Sequence, residues 1–319
     1  MVEPGGSCES GGVRRSWVFG LLSLAFASAP ACGARTALTE PEALPANDAA
    51  SIRPDARTDG RADAATADAL PGLDGARRDA SIVCADAGTT FVYMISGDRE
   101  LFTFFPPTRE VRKVGDIACP GTTSYPVSMA VDRHGLAYTF FEDGTLWRLF
   151  TGNAQCSATS YAPHQLGVDP RGMGYVANGL EDELFVSDSE QGSEGIGTID
   201  TKAMKLSWIG RYSPPVGRCE LTGTGDGRLF AFCLNRTSGS TINEIDKTTG
   251  TIIASDDLVV GRPTNGMAFA AWGGEFWIFT AGPSESAITE YDPVTKVETP
   301  IGTIPANISG AGVSPCATR

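Results

Sequence analysis

Residues 266–296 hold Gly266-Met-Ala-Phe-Ala-Ala271, Glu275-Phe-Trp-Ile-Phe-Thr280 and Tyr291-Asp-Pro-Val-Thr-Lys296. The first stretch is built from small residues, the second is a β-rich apolar run, and the third is a turn. Asp at a turn start can accept bonds from backbone N–H groups two residues on, and Pro or Gly sets the bend. The same turn is read at Ile199-Asp-Thr-Lys-Ala-Met, at Ile245-Asp-Lys-Thr-Thr-Gly and, in degenerate form, at Phe105-Pro-Pro-Thr-Arg. Further β-rich runs are Thr89–Ile95, Leu136–Phe141, Glu183–Val186 and Arg228–Phe232.

The small-residue stretch recurs as Val127–Asp132, Gly172–Ala177, Glu220–Thr224 and Gly310–Cys316. The five starts, 127, 172, 220, 266 and 310, are separated by 45, 48, 46 and 44 residues. Small side chains suit an innermost strand crowded about an axis. A period near 45 with four short strands per unit is that of a propeller blade. The pattern predicts an all-β, five-bladed β-propeller of four-stranded antiparallel blades over residues 84–319. The first blade begins without an inner strand and the chain ends with an unpartnered one, so pairing the two closes the ring. A β-sandwich with coincidental spacing, or a sixth degenerate blade within 150–190, is the competing architecture. Trp147, Trp208, Trp272 and Trp277 are expected in the inter-blade core.

The 319 residues are 41% hydrophobic and 8% aromatic, too apolar for a wholly disordered chain. A formal charge of −13 without a Lys/Arg block argues against nucleic acid as a partner. Only two histidines leave little room for His-based metal or acid–base chemistry.

The N-terminus reads as targeting. Arg14 and Arg15 precede the short apolar run Trp17–Ala27. At about eleven residues it is shorter than the roughly 20 needed to span a bilayer and fits a secretory signal over 1–31. Ala29-Pro-Ala31 before Cys32 approximates a lipobox, which makes Cys32 the candidate for lipidation. Ordinary cleavage before a free Cys32 is the alternative, with the protein then secreted. Residues 33–83 contain no Phe, Trp or Tyr, and are rich in Ala, Asp, Arg, Thr and Pro. The reading for 32–83 is a lipidated Cys followed by a disordered tether reaching about 40 Å on average.

Six cysteines follow the tether, which suggests disulfides in an exported chain. The propeller register places Cys84 with Cys316 on one face, where a bridge would lock the ring, and Cys219 with Cys233 on one face. Cys119 and Cys156 are left to each other by elimination, although the strand directions put them on opposite faces.

No nucleophile elbow, P-loop, HExxH or EF-hand pattern is present. The acidic stretch Ser187–Gly195 offers oxygen ligands at irregular spacing, so either a solvated loop or a calcium site is open there. No other cofactor or metal is expected. The face carrying the inter-blade loops should present Tyr125, His164, Arg171, Asp188, Arg218, Arg236 and Arg262. Its arginines, with His164, form the expected ligand rim for an anion, a glycan carboxylate or a protein. Asp132 and Glu220, on or beside inner strands, are a candidate carboxylate pair for glycoside chemistry.

Cys32-Gly-Ala-Arg-Thr-Ala-Leu, Glu220-Leu-Thr-Gly-Thr-Gly-Asp-Gly-Arg-Leu-Phe, Trp272-Gly-Gly-Glu-Phe-Trp and Gly310-Ala-Gly-Val-Ser-Pro-Cys resemble motifs of an uncharacterised myxobacterial cell-envelope lipoprotein family with a β-propeller domain. The resemblance covers roughly 84–319 beyond the lipobox. It implies a propeller at the outer membrane or cell surface, and carries over no activity. The reading is therefore a monomeric, envelope-anchored binding or scaffold module, leaning non-catalytic. The alternative is a glycan-active enzyme with carboxylates at the central tunnel.

Overall fold

The computed structural model describes residues 91–189, 194–234, 239–261, 263 and 265–317. The segments expected as a signal and a tether, with Cys32, Cys84, Arg236 and Arg262, lie outside the described residues.

Five four-stranded antiparallel sheets form a five-bladed β-propeller. Blade 1 holds β1 (Val92–Ser96), β2 (Glu100–Phe105) and β3 (Glu110–Asp116). Blade 2 holds β4 (Pro126–Val131), β5 (Leu136–Phe141), β6 (Leu146–Phe150) and β7 (Cys156–Ala158). Blade 3 holds β8 (Pro170–Asn178), β9 (Glu181–Asp188), β10 (Gly195–Asp200) and β11 (Lys205–Arg211). Blade 4 holds β12 (Cys219–Gly223), β13 (Leu229–Leu234), β14 (Ser240–Ile245) and β15 (Ile252–Leu258). Blade 5 holds β16 (Gly266–Trp272), β17 (Glu275–Ala281), β18 (Ser286–Asp292) and β19 (Val297–Ile304). The last strand, β20 (Ile308–Gly312), pairs with β1 and is the inner strand of blade 1. Residues 150–190 carry β7 and the inner hairpin of blade 3, so no sixth blade lies there. Among the described residues no helix is long and apolar enough to cross a membrane.

The small residues of the repeat are explained by the packing of the inner strands. A Cβ on Gly310 would stand 2.7 Å from Ser128 Cα, and one on Gly312 3.0 Å from Ala130 Cα. The backbones of β20 and β4 therefore touch directly, and a side chain would force them apart. Both pairs run the same way along the axis, so the inner strands share one direction. The end at which they start is called the upper face below.

Apolar burial lies between the blades. Each of the five buried clusters joins two neighbours, as where Phe104 of β2 meets Trp277 and Phe279 of β17. Along β5, Ala137 and Phe141 face blade 1 while Tyr138 and Phe140 face blade 3. Both faces of such a strand are buried, which is why it reads as a continuous apolar run. Trp147 and Trp277 are in this core, at 7% and 2% exposure. Trp272 is half-buried at the edge of the blade 5–blade 1 cluster, against Phe105, and Trp208 is exposed on an outer strand, so the expected core position fails for Trp208 alone.

The blades are also latched at their rims. The segment after one blade's outer strand bonds to the turn before the next blade's outer strand. Ala118 and Gln155 form a parallel bridge of this kind, as do Ser213 and Thr251. Elsewhere a side chain makes the latch. Gln165 accepts from Leu206 N and donates to Met204 O at 3.0 Å each, and Glu298 accepts from Val260 N at 2.8 Å.

The first of these latches corrects the expected opposition of two cysteines. Cys119 is bonded to Cys156, with Cα atoms 4.6 Å apart. Sheet twist accumulates from axis to rim. The lower end of one blade's outermost turn is carried beside the upper end of its neighbour, and a two-face diagram loses that rotation. Cys219 is bonded to Cys233 across directly paired positions of β12 and β13, Cα to Cα 4.1 Å. Cys316 is also in a disulfide. Its expected partner Cys84 lies outside the described residues.

The Asp-led turns serve as caps. Asp200 Oδ1 accepts from the backbone N–H of Lys202 and Ala203, Asp246 Oδ1 from Thr248, and Asp292 Oδ1 from Val294. The Thr248 hydroxyl on Asp246 and the Thr295 hydroxyl on Asp292, with these backbone bonds, hold the three carboxyls below their ordinary pKa.

Candidate functional site

On the upper face the five blades bring the residues at the start of their inner strands to one mouth. Ser309 comes from blade 1, Tyr125 and Val127 from blade 2, and Asp169 and Arg171 from blade 3. Arg218 comes from blade 4 and Asn265 from blade 5, and Glu142 and Ser189 complete the wall. The cavity holds about 330 Å³. Three expected upper-face residues, Tyr125, Arg171 and Arg218, thus share one site. His164 does not. It is exposed in the blade 2–blade 3 connection, against the Asp143-Gly144 turn.

The two arginines differ in their commitments. Arg171 Nε donates to Asp169 Oδ2 at 2.9 Å, and its Nη2 donates to Glu142 Oε1 at 3.1 Å. Its Nη1 closes a fork on the other oxygen of Glu142. Burial and the positive charge of Arg218 both lower the pKa of Arg171. Among the described residues no side chain pairs with the Arg218 guanidinium, and its Nε is buried without an acceptor.

Two residues along β12 from Arg218 lies Glu220, 1% exposed. Its Oε2 accepts from Ser128 Oγ at 2.9 Å. Ser128 belongs to blade 2 and Glu220 to blade 4, so this bond crosses the ring beneath the mouth. Oε1 has no partner. Burial holds the Glu220 carboxyl well above its ordinary value of 4.5, while the charge of Arg218 and the Ser128 hydroxyl pull it down.

The folded chain therefore keeps this proton to higher pH than the unfolded chain does. In the window above 4.5 the folded state binds more protons, so this group's contribution to stability is lost as pH rises. Glu220→Gln cannot ionise. It is expected to melt close to the parent at about pH 4 and above it at about pH 8. Thermal unfolding of both proteins across that range tests this. A Glu220→Gln curve parallel to the parent's would exclude the assigned titration.

Asp132 lies apart from Glu220. It follows the lower end of β4, four residues beyond Ser128, or about 13 Å at roughly 3.3 Å per residue. Its Oδ1 accepts from the backbone N–H of His134 and Leu136 at 2.9 Å each, a turn cap. The candidate carboxylate pair is not assembled. The acidic stretch from Ser187 is also partly spent on structure. Ser187 Oγ lies 2.8 Å from Tyr212 OH, and Asp188 Oδ1 accepts from Asp169 N. Among the described residues no group of three His, Cys, Asp or Glu side chains could hold a metal ion.

The mouth's acidic side escaped the sequence reading. Glu142 stands 29 residues before Arg171, in the turn directly after the second strand of the blade before. The usable signal was its place beside Asp143-Gly144, on the upper face once strand directions are drawn.

No family model matches the chain, and no curated protein matches it. Solved structures do. A chain of a nidogen/laminin complex is 12% identical with a TM-score of 0.47, the match covering 71% of this chain and 98% of that one. The Dos1 propeller is 10% identical with a TM-score of 0.39, covering 67% and 55%. TolB from Acinetobacter baumannii is 12% identical with a TM-score of 0.42, covering 72% and 55%. The chain thus spans just over half the length of the latter two.

Proposed function

We propose that this chain is an exported, envelope-anchored binding module whose ligand docks in the upper mouth. The observation that carries the reading is the convergence of all five blades on one cavity holding Arg218, whose Nε is buried without an acceptor among the described residues. Convergent polar groups in a concavity are the usual mark of a ligand site. The anchor is Cys32, acylated after removal of residues 1–31, and residues 32–83 are the tether, as in the myxobacterial lipoproteins the sequence resembles. Disulfides Cys119–Cys156 and Cys219–Cys233 fit an oxidising compartment.

Binding of the full chain to glycan and peptide arrays tests the mouth. Asn265 is exposed at its edge, and Asn265→Trp plugs the opening. Bound signals are expected to disappear in Asn265→Trp. Signals that persist with the mouth plugged would place the binding surface elsewhere. For the anchor, labelled palmitate is expected in the parent and absent from Cys32→Ala.

A further inference from the structure

We propose that the mouth recognises an acidic sugar, a ring whose carboxylate is held by Arg218 and whose hydroxyls are held by the polar wall. This rests on the mouth being the binding site and names its ligand class.

Arg218 is the starting point. Its Nε–H is buried without an acceptor, and a dry unmatched donor is costly. The planar guanidinium fork matches the two oxygens of a carboxylate. Arg171 shows the satisfied form of the same group, bidentate on Glu142 and bonded to Asp169. Its pKa is depressed in part by the charge of Arg218, so the two cations repel across the cavity. A carboxylate on Arg218 removes that repulsion.

The charge of the wall limits the ligand to one negative charge. Arg171 and Arg218 contribute two positive charges, and Glu142 and Asp169 two negative ones, for a sum of zero. A dianion such as a phosphate monoester would face both carboxylates. A monoanion on Arg218 does not need to displace either.

The rest of the wall favours a sugar over a peptide end. Tyr125 and Ser189 offer hydroxyl groups, Ser309 and Asn265 offer their side-chain oxygens while Ser309 Oγ donates to Pro126 O and Asn265 Nδ2 to Gly282 O, and Val127 is the one aliphatic side chain among the described lining residues. Apolar peptide anchors find no pocket there, whereas sugar hydroxyls find donors and acceptors. The volume, about 330 Å³, lies at the small end of the roughly 300–1,000 Å³ of small-molecule sites.

The test is calorimetric titration of the full chain, exported and oxidised, with four probes. These are a trisaccharide carrying one glucuronate, its methyl ester, a tripeptide with a free C-terminal carboxylate, and inorganic phosphate. The glucuronate is expected to bind at least about tenfold tighter than its ester and than the other two probes, a margin of about 1.4 kcal/mol. Arg218→Gln should reduce glucuronate affinity to that of the ester. Arg112→Gln removes the same charge from an outer strand and should leave affinity unchanged. Circular dichroism and a melting curve establish that Arg218→Gln is folded, and Arg218→Lys, which keeps the charge without the fork, is expected to fall between. Equal binding of acid and ester, or an unchanged affinity in Arg218→Gln, overturns the proposal. So does tighter binding of the peptide or of phosphate. If no probe binds while array signals are still lost in Asn265→Trp, the sugar class falls and the mouth stands. If the array signals also survive the plug, both fall.

Discussion

Trp277→Ala is expected to destabilise the propeller by about 3–5 kcal/mol, the usual cost of deleting a buried large aromatic. Trp277 is 2% exposed on β17 and sits in the cluster between blades 5 and 1. Its ring meets Phe104 edge-on, with centroids 4.9 Å apart. The seam it fills is the one at which blade 5 meets blade 1 and the ring closes. The indole Nε1 has no hydrogen-bond partner. Trp277→Phe therefore removes an orphan donor along with some volume, and should cost much less than Trp277→Ala. Urea unfolding of the three oxidised proteins measures both differences. A loss under about 1 kcal/mol for Trp277→Ala would mean that the seam relaxes around the cavity.

Arg133→Ala should cost as much by a different route. Arg133 and Asp182 form an ion pair in which each side chain is 5% exposed. Arg133 Nε lies 2.9 Å from Asp182 Oδ1, its backbone N lies 2.7 Å from Oδ2, and its Nη2 also reaches Glu181 O. The pair fastens the β4–β5 turn of blade 2 to the β8–β9 hairpin of blade 3. Removing one partner leaves a buried charge uncompensated, about 3–5 kcal/mol. Removing both, as in Arg133→Met with Asp182→Leu, should recover most of that loss, because a buried pair adds little over well-packed apolar groups. Denaturant titration of the two variants decides the matter. Equal losses in both would show that the backbone contacts of Arg133, and not the ion pair, hold the blades.

Blade number and closure were legible in the sequence because one physical constraint repeats five times. Inner strands whose backbones nearly touch tolerate only small residues, so Gly172, Gly266 and Gly310 mark the period directly. The Asp-led turns were legible for a similar reason, since an Asx cap depends on neighbours two residues away. What was hidden depends on contacts between blades. Arg133 and Asp182 stand 49 residues apart, close to one repeat, yet nothing local distinguishes them from surface charges. The neutralisation of Arg171 by Glu142 is of the same kind. The Cys119–Cys156 bridge depends on sheet twist, which strand order alone does not carry. Trp208 shows that aromatic identity does not decide which face of an outer strand turns inward.

The pairing of β20 with β1 also sets a clock. Ser96 pairs with Ile308, and Tyr93 with Gly312, so the edge of blade 1 waits for residues made more than 200 positions later. Between Ser96 and Gly312 lie 216 positions of synthesis (312 − 96), which at roughly 5–20 residues per second take about 10–40 s. Throughout that interval blade 1 lacks its axial strand and the seam around Trp277 cannot form. A nascent chain of this protein is therefore held short of its closed ring until Gly312 has been made.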